Sequence, residues 1–412
     1  MDINIKDLSA IGDGKTNNTE IIQRAIDMCA ERGGRVVISD GVYMTGKLVM
    51  KSNVELHIEA GAVLLGSPLP SDYPEAEGAT SFDSSFLPRM SSACLIFAEN
   101  CSNISITGMG RIDCNGKNFI EKRESFEIHS CKYRRKDGFT PPRVVFFSCC
   151  EGVRVENVTM VNQPAGWSYW IHGCSFVTFY GIKIIAPIDY PNNDGIHINS
   201  SRDVNISNCH IVSSDDCIVL RANNASFPEN KVCERICVSN CTLTSYTNGI
   251  RIGWVGDGVI RDCVISNIVI TSSNNGISIY LPYRVRTARL VKIFDPRAPI
   301  SSDVGREDTL IENISFQNIM MDGIYKYPIL VAIDENEKVG CKDIRNLYFS
   351  NIHSISLNYP CFKGRKNKPI GELYFYNSTF SLVGELDGER SKGEGRIQHY
   401  ADNIHFINTE FK

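Results

Sequence analysis

Short runs of alternating apolar and polar residues recur along the chain from about residue 150. The first clear copy covers residues 155–160, and the same phrase returns at 206–211 and at 238–243. Alternation with a period of two is typical of a β-strand that buries one face. Because no helical segment separates the copies, the pattern predicts strands that stack as successive coils and share one continuous core.

A polar turn residue, usually asparagine, holds the same phase in each copy. Asparagine tolerates left-handed backbone and hydrogen-bonds neighbouring backbone groups, so we interpret these residues as turn formers that stack in an amide ladder, and not as catalysts. The interval of 51 residues between Asn267 and Asn318 fits either two coils or one coil with a long insertion. The positions are Asn157, Gly181, Asn208, Asn240, Asn267, Asn318, Asn351, Asn377 and Asn408, with spacings of 24, 27, 32, 27, 51, 33, 26 and 31 residues.

The N-terminal segment has a different pattern. Residues 18–30 place apolar side chains at helical spacing, and Gly33 and Gly34 follow as a helix stop. A lone amphipathic helix is suited to cover the exposed edge of a first coil. We therefore predict an N-terminal cap over about residues 1–35, with the coils beginning at residues 36–38.

Two long polar stretches, at about 116–142 and 284–308, interrupt the repeats and are predicted to be loops. Long loops on a regular scaffold are where binding residues tend to lie. The basic cluster of Arg284, Arg286 and Arg289 in the second loop either forms a solvated surface or closes one end of a cleft. The predicted fold class is all-β, a single right-handed parallel β-helix domain over residues 1–412 with an N-terminal capping helix.

Composition excludes several kinds of partner. The 412 residues carry a net charge of −4, which gives no reason to expect nucleic acid or an anionic membrane surface. The sequence lacks a run of eighteen apolar residues, so no transmembrane helix is predicted. The composition leaves the oligomeric state open.

The cysteines and the N-terminus bear on localisation. We interpret the 16 cysteines as mostly buried free thiols, which act as small apolar side chains. That many thiols, with no signal peptide visible at the N-terminus, favour a cytoplasmic protein. A chain from which a signal peptide had been removed would look the same, and would belong to a periplasmic or secreted protein.

Three acidic residues stand at the start of two successive alternating strands. Asp194 precedes one strand, and Asp215 and Asp216 precede the next. Coils stack roughly 4.8 Å apart, so we expect the three carboxylates to converge in one patch. Like charges in contact keep one group protonated beside one that is ionised, which is the acid and base pair that glycoside cleavage needs. A cation site is the main rival, since calcium takes six to eight oxygen ligands.

The strands that follow these turns, and two later copies, predict which side chains face the core. Isoleucine and leucine occupy the inward positions, and the alternate positions face outward. The inward residues are Ile196, Ile198, Ile218, Leu220, Ile250, Ile252, Ile277 and Ile279; the outward residues are His197, Asn199, Val219, Arg221, Arg251, Ser278 and Tyr280.

These residues resemble the polygalacturonase family of glycoside hydrolases, family twenty-eight, over nearly the whole chain. Asn192-Asn193-Asp194 is similar to the family's Asn-Thr-Asp motif, and Asp215-Asp216 matches its Asp-Asp motif. The resemblance implies that Asp215 is the general acid and that Asp194 and Asp216 activate the attacking water. Further similar segments are residues 10–19, 48–56, 108–113, 142–143 and 170–172.

Two other motifs of the family differ in this chain. Thr247-Asn248-Gly249 stands where the family has Gly-His-Gly, and Ser278-Ile279-Tyr280 stands where it has Arg-Ile-Lys. The absent Arg and Lys are, in the family, the pair that grips a galacturonate carboxylate. Arg251, one coil before Ser278, either replaces them with its bidentate guanidinium or pairs with a nearby acid.

Further candidates lie on the same face. Asn248 is able to hydrogen-bond a sugar hydroxyl or a catalytic acid, but it cannot shuttle a proton. His197 either contacts substrate or an acid, or is solvated; Trp254 is either a sugar-stacking platform or an anchor. The full set of candidate substrate-binding residues is Asn192, His197, Arg221, Asn248, Arg251, Ser278, Tyr280, His172 and Trp254.

The predicted function is an inverting glycoside hydrolase of pectic or related polysaccharides and oligosaccharides, exo-acting and different from a simple polygalacturonase. We expect neither a cofactor nor a metal. Two alternatives remain open. One is a β-helix polysaccharide lyase, which needs a base beside a uronate α-proton, and the other is a carbohydrate-binding β-helix without activity.

Overall fold

The protein is a right-handed parallel β-helix, as the sequence pattern predicted. The computed structural model describes residues 1–75, 92–124, 131–136, 140–141, 143–282, 308–336, 339–368, 370–391, 397–401 and 403–412. The chain forms two compact units. The first contains Met1–Ala79, Ser91–His197 and Arg202–Asp215, and the second contains Ile198–Ser201 and Asp216–Lys412.

The first unit stacks short parallel strands whose apolar residues keep the same register from coil to coil. Val153 pairs with Val177, and Val177 pairs with Val204, each at most 1% exposed. The strands are β1 (Asp2–Asn4), β2 (Asp13–Asn17), β3 (Gly34–Ile38), β4 (Gly41–Thr45), β5 (Leu48–Val49), β6 (Val54–Ile58), β7 (Ala62–Gly66), β8 (Ile96–Glu99), β9 (Ser102–Thr107), β10 (Arg111–Asp113), β11 (Ile120–Lys122), β12 (Tyr133–Arg135), β13 (Arg143–Ser148), β14 (Glu151–Glu156), β15 (Thr159–Val161), β16 (Trp167–His172), β17 (Ser175–Tyr180), β18 (Lys183–Ile185), β19 (Ile196–Asn199, whose last two residues belong to the second unit), β20 (Arg202–Ser207) and β21 (His210–Ser213).

Among the described residues there is one α-helix, α1 (Thr19–Ala30), and it lies near the N-terminus, where the helical pattern predicted it. It buries Ile22, Ala25, Ile26 and Cys29. The parallel pairing starts earlier than predicted, because β1 already pairs with β3 and β2 with β4. The first strands are polar and only three to five residues long, so their alternation was too short to recognise. Short 3-10 helices lie at Ile5–Leu8, Pro70–Asp72 and Gly116–Phe119.

The second unit contains longer strands that bend through their turns without losing the ladder. Its core includes a stack of phenylalanine rings, in which Phe316, Phe349, Phe375 and Phe406 follow one another at centroid distances of 4.8, 4.6 and 5.0 Å, close to the spacing of paired strands. The strands are β22 (Ile218–Arg221), β23 (Cys233–Ser245), β24 (Asn248–Ile252), β25 (Val259–Leu281), β26 (Thr309–Ile333), β27 (Cys341–Ser356), β28 (Cys361–Lys363), β29 (Leu373–Tyr376), β30 (Thr379–Leu382), β31 (Glu385–Leu386), β32 (Glu389–Arg390), β33 (Ile397–His399), β34 (Ile404–Ile407) and β35 (Glu410–Phe411).

The predicted asparagine ladder is confirmed. Asn267 donates its side-chain amide to Asn240 Oδ1 at 3.2 Å, and Asn318 donates to Asn267 Oδ1 at 3.1 Å. Because Asn318 bonds directly to Asn267, the interval of 51 residues is one coil with a long insertion. All eight predicted asparagines have a positive φ between 49° and 63°, the left-handed region that this residue tolerates.

The interruption predicted at about 116–142 leaves the coil. Part of it forms an antiparallel pair of β11 and β12, in which Ile120 is opposite Arg135. The other predicted loop, about 284–308 with its basic cluster, lies outside the described residues apart from residue 308. Of the 16 cysteines, 12 are buried, and all are free thiols, as the sequence predicted. No helix among the described residues is long and apolar enough to cross a membrane.

Candidate functional site

In the first unit, the turns that carry Asp194 and Asp215 are hydrogen-bonded to each other. Asn192 donates its side-chain amide to Asp215 Oδ2 at 3.0 Å, and the Asp215 N–H approaches the Asn193 carbonyl at 3.4 Å. Asn192 adopts the left-handed conformation with φ of 55°, which aims its side chain along the axis of the stack towards the next turn. Two of the three predicted catalytic carboxylates therefore belong to adjacent turns of one unit.

The middle residue of the first acidic motif fixes the turn in place. Asn193 is fully buried; its Oδ1 accepts from the Gly166 N–H at 3.0 Å, and its own N–H donates to Ser214 Oγ at 3.2 Å. The Asp194 carbonyl accepts from the Ser168 N–H at 2.9 Å. Bonds to both the preceding and the following coil hold Asp194 at one position.

Asp194 and His197 face each other in a site that is almost closed to solvent. The two side chains are 6% and 5% exposed, and His197 Nδ1 lies 3.4 Å from Asp194 Oδ2. The imidazole stacks on the Trp167 ring with centroids 3.9 Å apart and planes 19° from parallel. The solvated state that the sequence left open for His197 is therefore wrong, and the contact with an acid is confirmed.

An aromatic cluster on β13 and β16 adjoins this pair. The Arg143 guanidinium carbon lies 3.6 Å from the Trp170 ring centroid and 4.7 Å from that of Trp167. The Phe146 ring stacks on the Trp170 ring with centroids 4.3 Å apart, and the His172 ring centroid lies 4.7 Å from that of Trp170. Arg143 is only 2% exposed, so its charge is held within aromatic faces, which favour a cation.

Part of the predicted loop at 116–142 also reaches the acidic turns. Burial raises the pKa of the Cys131 thiol to about 11, and the negative charge of Asp215 adds to the increase. The next residue, Lys132, forms an ion pair with Asp189 at 3.2 Å, and the rings of Tyr133 and Tyr190 are 5.0 Å apart. The loop is thus tied to the segment that leads into Asn192.

In the second unit, Asp216 is held by the next coil. Its Oδ1 accepts hydrogen bonds from Thr247 Oγ1, at 2.8 Å, and from the side-chain amide of Asn248. Asn248 Oδ1 in turn accepts from the Asn275 amide at 2.9 Å. Asn248 therefore contacts Asp216, one of the candidate catalytic carboxylates.

Arg251 occupies the place that the sequence predicted, directly beside Ser278 on the neighbouring strand. Its Nη1 donates to Ser278 Oγ at 2.9 Å and its Nη2 donates to the Tyr280 carbonyl at 2.7 Å. The guanidinium lies 5.0 Å from the Trp254 ring centroid and 5.2 Å from that of Tyr280. A positive charge therefore lies beside Ser278 and Tyr280, the two positions that the sequence resemblance aligned with an Arg and a Lys.

Arg221 is bound to an acid that the sequence analysis did not consider. Its Nε and Nη2 donate to the two carboxylate oxygens of the fully buried Asp257, at 2.6 and 2.9 Å. The same guanidinium lies 5.4 Å from the Trp254 centroid. Trp254 thus contacts the guanidinium groups of both Arg221 and Arg251, and its role as a sugar-stacking platform or an anchor stays a prediction.

Sequence reasoning placed the inward residues correctly and understated the burial of the outward ones. All eight predicted inward side chains are at most 1% exposed, whereas His197, Arg251 and Ser278 on the opposite side are 4%, 4% and 1% exposed. It missed Trp167, Thr247, Asn275 and Asp257. Trp167 begins an alternating strand with Trp170, which was a usable signal, but the pairing of Asp257 with Arg221 spans 36 residues and leaves no local pattern. Among the described residues, no group of three or more His, Cys, Asp or Glu side chains is arranged to hold a metal ion.

Comparison with known proteins finds relatives of the polygalacturonase type. The chain is 43% identical to the exo-poly-alpha-D-galacturonosidase of Dickeya chrysanthemi over 219 residues, which is 49% of this chain and 34% of that protein. It is 28% identical to a probable polygalacturonase of Vitis vinifera over 284 residues, which is 66% of this chain and 55% of that protein. The chain thus spans about half the length or less of these curated relatives.

A solved structure confirms the fold over nearly the whole chain. The hyperthermoactive exopolygalacturonase of Thermotoga maritima superposes with a TM-score of 0.72 at 21% identity, covering 99% of this chain and 92% of that one. The model of glycosyl hydrolases family 28 matches residues 75–283, which include both acidic turns. The chain belongs to glycosyl hydrolases family 28.

Proposed function

We propose that the protein is an inverting glycoside hydrolase that cleaves galacturonate-containing pectic oligosaccharides and polysaccharides. The observation that carries the proposal is the pair of bonded acidic turns, in which Asn192 joins the turn of Asp194 to the carboxylate of Asp215. Glycoside cleavage needs two carboxyl groups that flank the scissile bond, one to donate a proton and one to activate water. The family membership makes these the candidate groups.

In this proposal, Asp215 is the general acid that protonates the leaving oxygen, and Asp194 and Asp216 activate the attacking water. The contacts support different roles. One oxygen of Asp216 accepts two hydrogen bonds, from Thr247 and Asn248. These bonds hold the carboxylate in one orientation, which a group that positions a water molecule requires. Asp194 lies beside a histidine and is almost completely buried.

Arg251 supplies the recognition of a uronate carboxylate in this proposal. Arg251 lies between Trp254 and Tyr280, beside the two positions where the usual Arg and Lys are absent. A guanidinium is able to bind a carboxylate by two parallel hydrogen bonds. Arg251 donates to the neutral Ser278 hydroxyl and Tyr280 carbonyl, whereas Arg221 is already paired with the Asp257 carboxylate and is assigned to holding the site together.

Exo-action is the second part of the proposal. The relatives that support it are named exo-poly-alpha-D-galacturonosidase and exopolygalacturonase. An exo-acting enzyme releases one short product of constant length from a chain end, whereas an endo-acting enzyme releases a ladder of lengths.

Product analysis tests the proposal. The purified protein and its Asp215→Asn variant are incubated with polygalacturonate, oligogalacturonides and rhamnogalacturonan, and the products are separated by length. We expect the wild type to release a single short saturated product and Asp215→Asn to release none, while Asp322→Asn, an exposed carboxylate on β26, retains wild-type activity. Proton NMR at early times shows whether the new reducing end has the inverted anomeric configuration.

Two results would contradict the proposal. Equal turnover by Asp215→Asn and wild type would exclude Asp215 as the acid. Products with strong ultraviolet absorbance from an unsaturated ring would identify a lyase, because hydrolysis adds water and leaves no double bond.

A further inference from the structure

The contact between His197 and Asp194 has properties that a packing contact does not need. Both residues are nearly closed to solvent, and His197 Nδ1 lies at ion-pair distance, 3.4 Å, from Asp194 Oδ2. Asp194 lies two residues before β19, and His197 is the second residue of that strand. The short main-chain segment between them is held because the carbonyls of Asp194 and Gly195 accept hydrogen bonds from the N–H groups of Ser168 and Tyr169. The spacing of the two groups is therefore set by the backbone.

Burial makes the partner of Asp194 important. An ionised carboxylate removed from water is costly unless a charged or hydrogen-bonding partner compensates it. If Asp194 is to take a proton from water, it must be ionised before the reaction. His197 donates either as a neutral imidazole with a proton on Nδ1 or as imidazolium, and both forms favour the ionised carboxylate.

Trp167 holds the plane of the His197 ring. The near-parallel stack has centroids 3.9 Å apart, and tilting the imidazole out of this plane would break the aromatic contact. The charged or titratable groups on β13 and β16 are Arg143, whose guanidinium carbon lies 4.7 Å from the Trp167 ring centroid, and His172 at the end of β16. Asp194 is the group at ion-pair distance from Nδ1.

We propose that His197 is a positioning residue for Asp194, which it orients and keeps ionised through Nδ1 while Trp167 holds the imidazole ring. This inference rests on the proposed hydrolase function, since it assigns Asp194 the activation of water.

Two substitutions separate the donor from the ring. His197→Asn places its Nδ2 where Nδ1 was, so it retains the donor and loses the stacking; His197→Phe retains the stacking on Trp167 and loses the donor. With oligogalacturonide as substrate, we expect His197→Phe to lower kcat roughly ten- to hundredfold, as for the loss of a hydrogen bond to a charged group, with KM within about threefold of wild type. His197→Asn should recover most of the kcat.

The pH profile gives a second readout. In His197→Phe the acidic limb of kcat/KM should move to higher pH, because Asp194 then protonates more readily, and in His197→Asn it should stay near the wild-type position. His353→Phe and His353→Asn, at an exposed histidine of β27, serve as controls and should match wild type. Thermal melting of each variant confirms that it is folded. Equal activity and equal pH profiles for His197→Phe and wild type would overturn the proposal, and so would a His197→Asn variant as impaired as His197→Phe.

A titration that does not depend on turnover keeps this test separate from that of the function. Histidine resonances are followed by NMR against pH in wild type and in Asp194→Asn, and the His197 signal is assigned by its absence in His197→Asn. If His197 and Asp194 interact as proposed, the midpoint of the His197 titration falls to lower pH in Asp194→Asn. An unchanged midpoint would exclude the interaction even if the wild type proves to be an active hydrolase. A shifted midpoint in a protein without turnover would leave the pair intact and reject the hydrolase.

Discussion

Asn248 is held on both sides of its amide group. It donates to Asp216 and accepts from Asn275, so that its side chain has one orientation. Thr247 donates to the same Asp216 oxygen, which places two neutral donors on a single carboxylate oxygen. At the residue scale, the position that usually carries histidine in the family is therefore filled by a side chain that orients an acid without exchanging protons.

Removal of this amide should reduce catalysis. We expect Asn248→Ala to lower kcat about tenfold or more, because a hydrogen bond to a charged group contributes roughly 1.5–3 kcal/mol. Asn248→Asp should cost more, because it sets a second negative charge against Asp216. Asn275→Ala, which removes only the group that orients Asn248, should have a smaller effect of the same kind. Steady-state kinetics on the identified substrate measures all three, and an Asn248→Ala enzyme with wild-type kcat would refute the role.

Arg251 gives a prediction about specificity. Arg251→Met should lower kcat/KM on free galacturonides roughly tenfold or more, from the loss of a charge-assisted bond, and should affect methyl-esterified substrate much less. Arg251→Lys retains the charge without the planar fork and should be intermediate. An equal loss on both substrates would mean that Arg251 is structural, since it also donates to Ser278 and to the Tyr280 carbonyl.

The residues of the site could be predicted from sequence only where the signal was local. Asp194, Asp215 and Asp216 stand in short motifs at a fixed phase of the repeat, and Arg251 follows from the strand alternation. Trp167, which stacks on His197, and Asp257, which pairs with Arg221, act through contacts between coils. Those contacts depend on which side chains lie in register, and register is set by the whole stack.

At the scale of single elements, the turn asparagines combine two stabilising features. Asn267 has a positive φ of 56°, and its amide bonds to both Asn240 and Asn318. For residues other than Gly, Asn and Asp, this left-handed conformation costs roughly 1–2 kcal/mol. Each coil is thus fixed by its own turn and by the turns before and after it.

Substitutions at Asn267 should separate the two features. Asn267→Gly keeps the left-handed backbone and loses the amide bonds, whereas Asn267→Ala loses both. We expect Asn267→Ala to lower the free energy of unfolding by about 1–3 kcal/mol and Asn267→Gly by about half as much or less. Urea unfolding followed by far-ultraviolet circular dichroism measures the difference, and a glycine variant as unstable as the alanine variant would show that the amide bonds dominate.

Glu234 is an element-scale source of pH dependence. Burial raises its pKa, but hydrogen bonds and charges of Arg261 and Arg235 outweigh this, and the pKa of the folded protein is below the ordinary value of 4.5. Arg261 lies directly opposite Glu234 on the neighbouring strand. Because the folded-state pKa is lowered, the stability that this carboxylate contributes is complete above about pH 4.5 and is lost as the pH falls below it.

Glu234→Gln should therefore lose less stability on acidification than wild type. We expect its urea midpoint to be lower than that of wild type near pH 7 and the two midpoints to approach each other towards about pH 3. Glu229→Gln, at an exposed carboxylate, is the matched control and should follow wild type at every pH. A constant difference between Glu234→Gln and wild type across this range would show that the ion pair is not what the substitution removes.

At the scale of the whole molecule, the fold class was predictable because the same strand and turn pattern recurs many times along the chain. Period-two alternation, turn asparagines and a single amphipathic helix all pointed to one architecture, and each was found. The start of the coils and the length of the insertion after Asn267 were not predictable. The first depends on strands too short to show a period, and the second depends on a hydrogen bond between residues 51 positions apart.

The thiols give a test of the whole core. Cys237 is exposed, while 12 cysteines are buried, and burial raises the pKa of Cys94 and Cys263 to about 12. We expect Ellman's reagent to modify Cys237 first in the native protein. In urea it should modify all 16 thiols, provided that the protein was kept reduced and the reductant was removed before the assay. Cys237→Ser should remove the fast phase without changing the total by more than that one thiol, and rapid reaction of many thiols in the native protein would contradict a closed core.

The direct bond between Asn267 and Asn318 also bears on how such a protein changes over evolution. The position of a coil along the stack depends on the turn against which it packs, and it does not depend on the number of residues between the two turns. Lengthening a loop that already leaves the coil costs only about 0.6 kcal/mol for each doubling of its length. New segments are therefore admitted between two stacked turns almost without penalty, and the turns themselves, such as those of Asn267 and Asn318, keep their register.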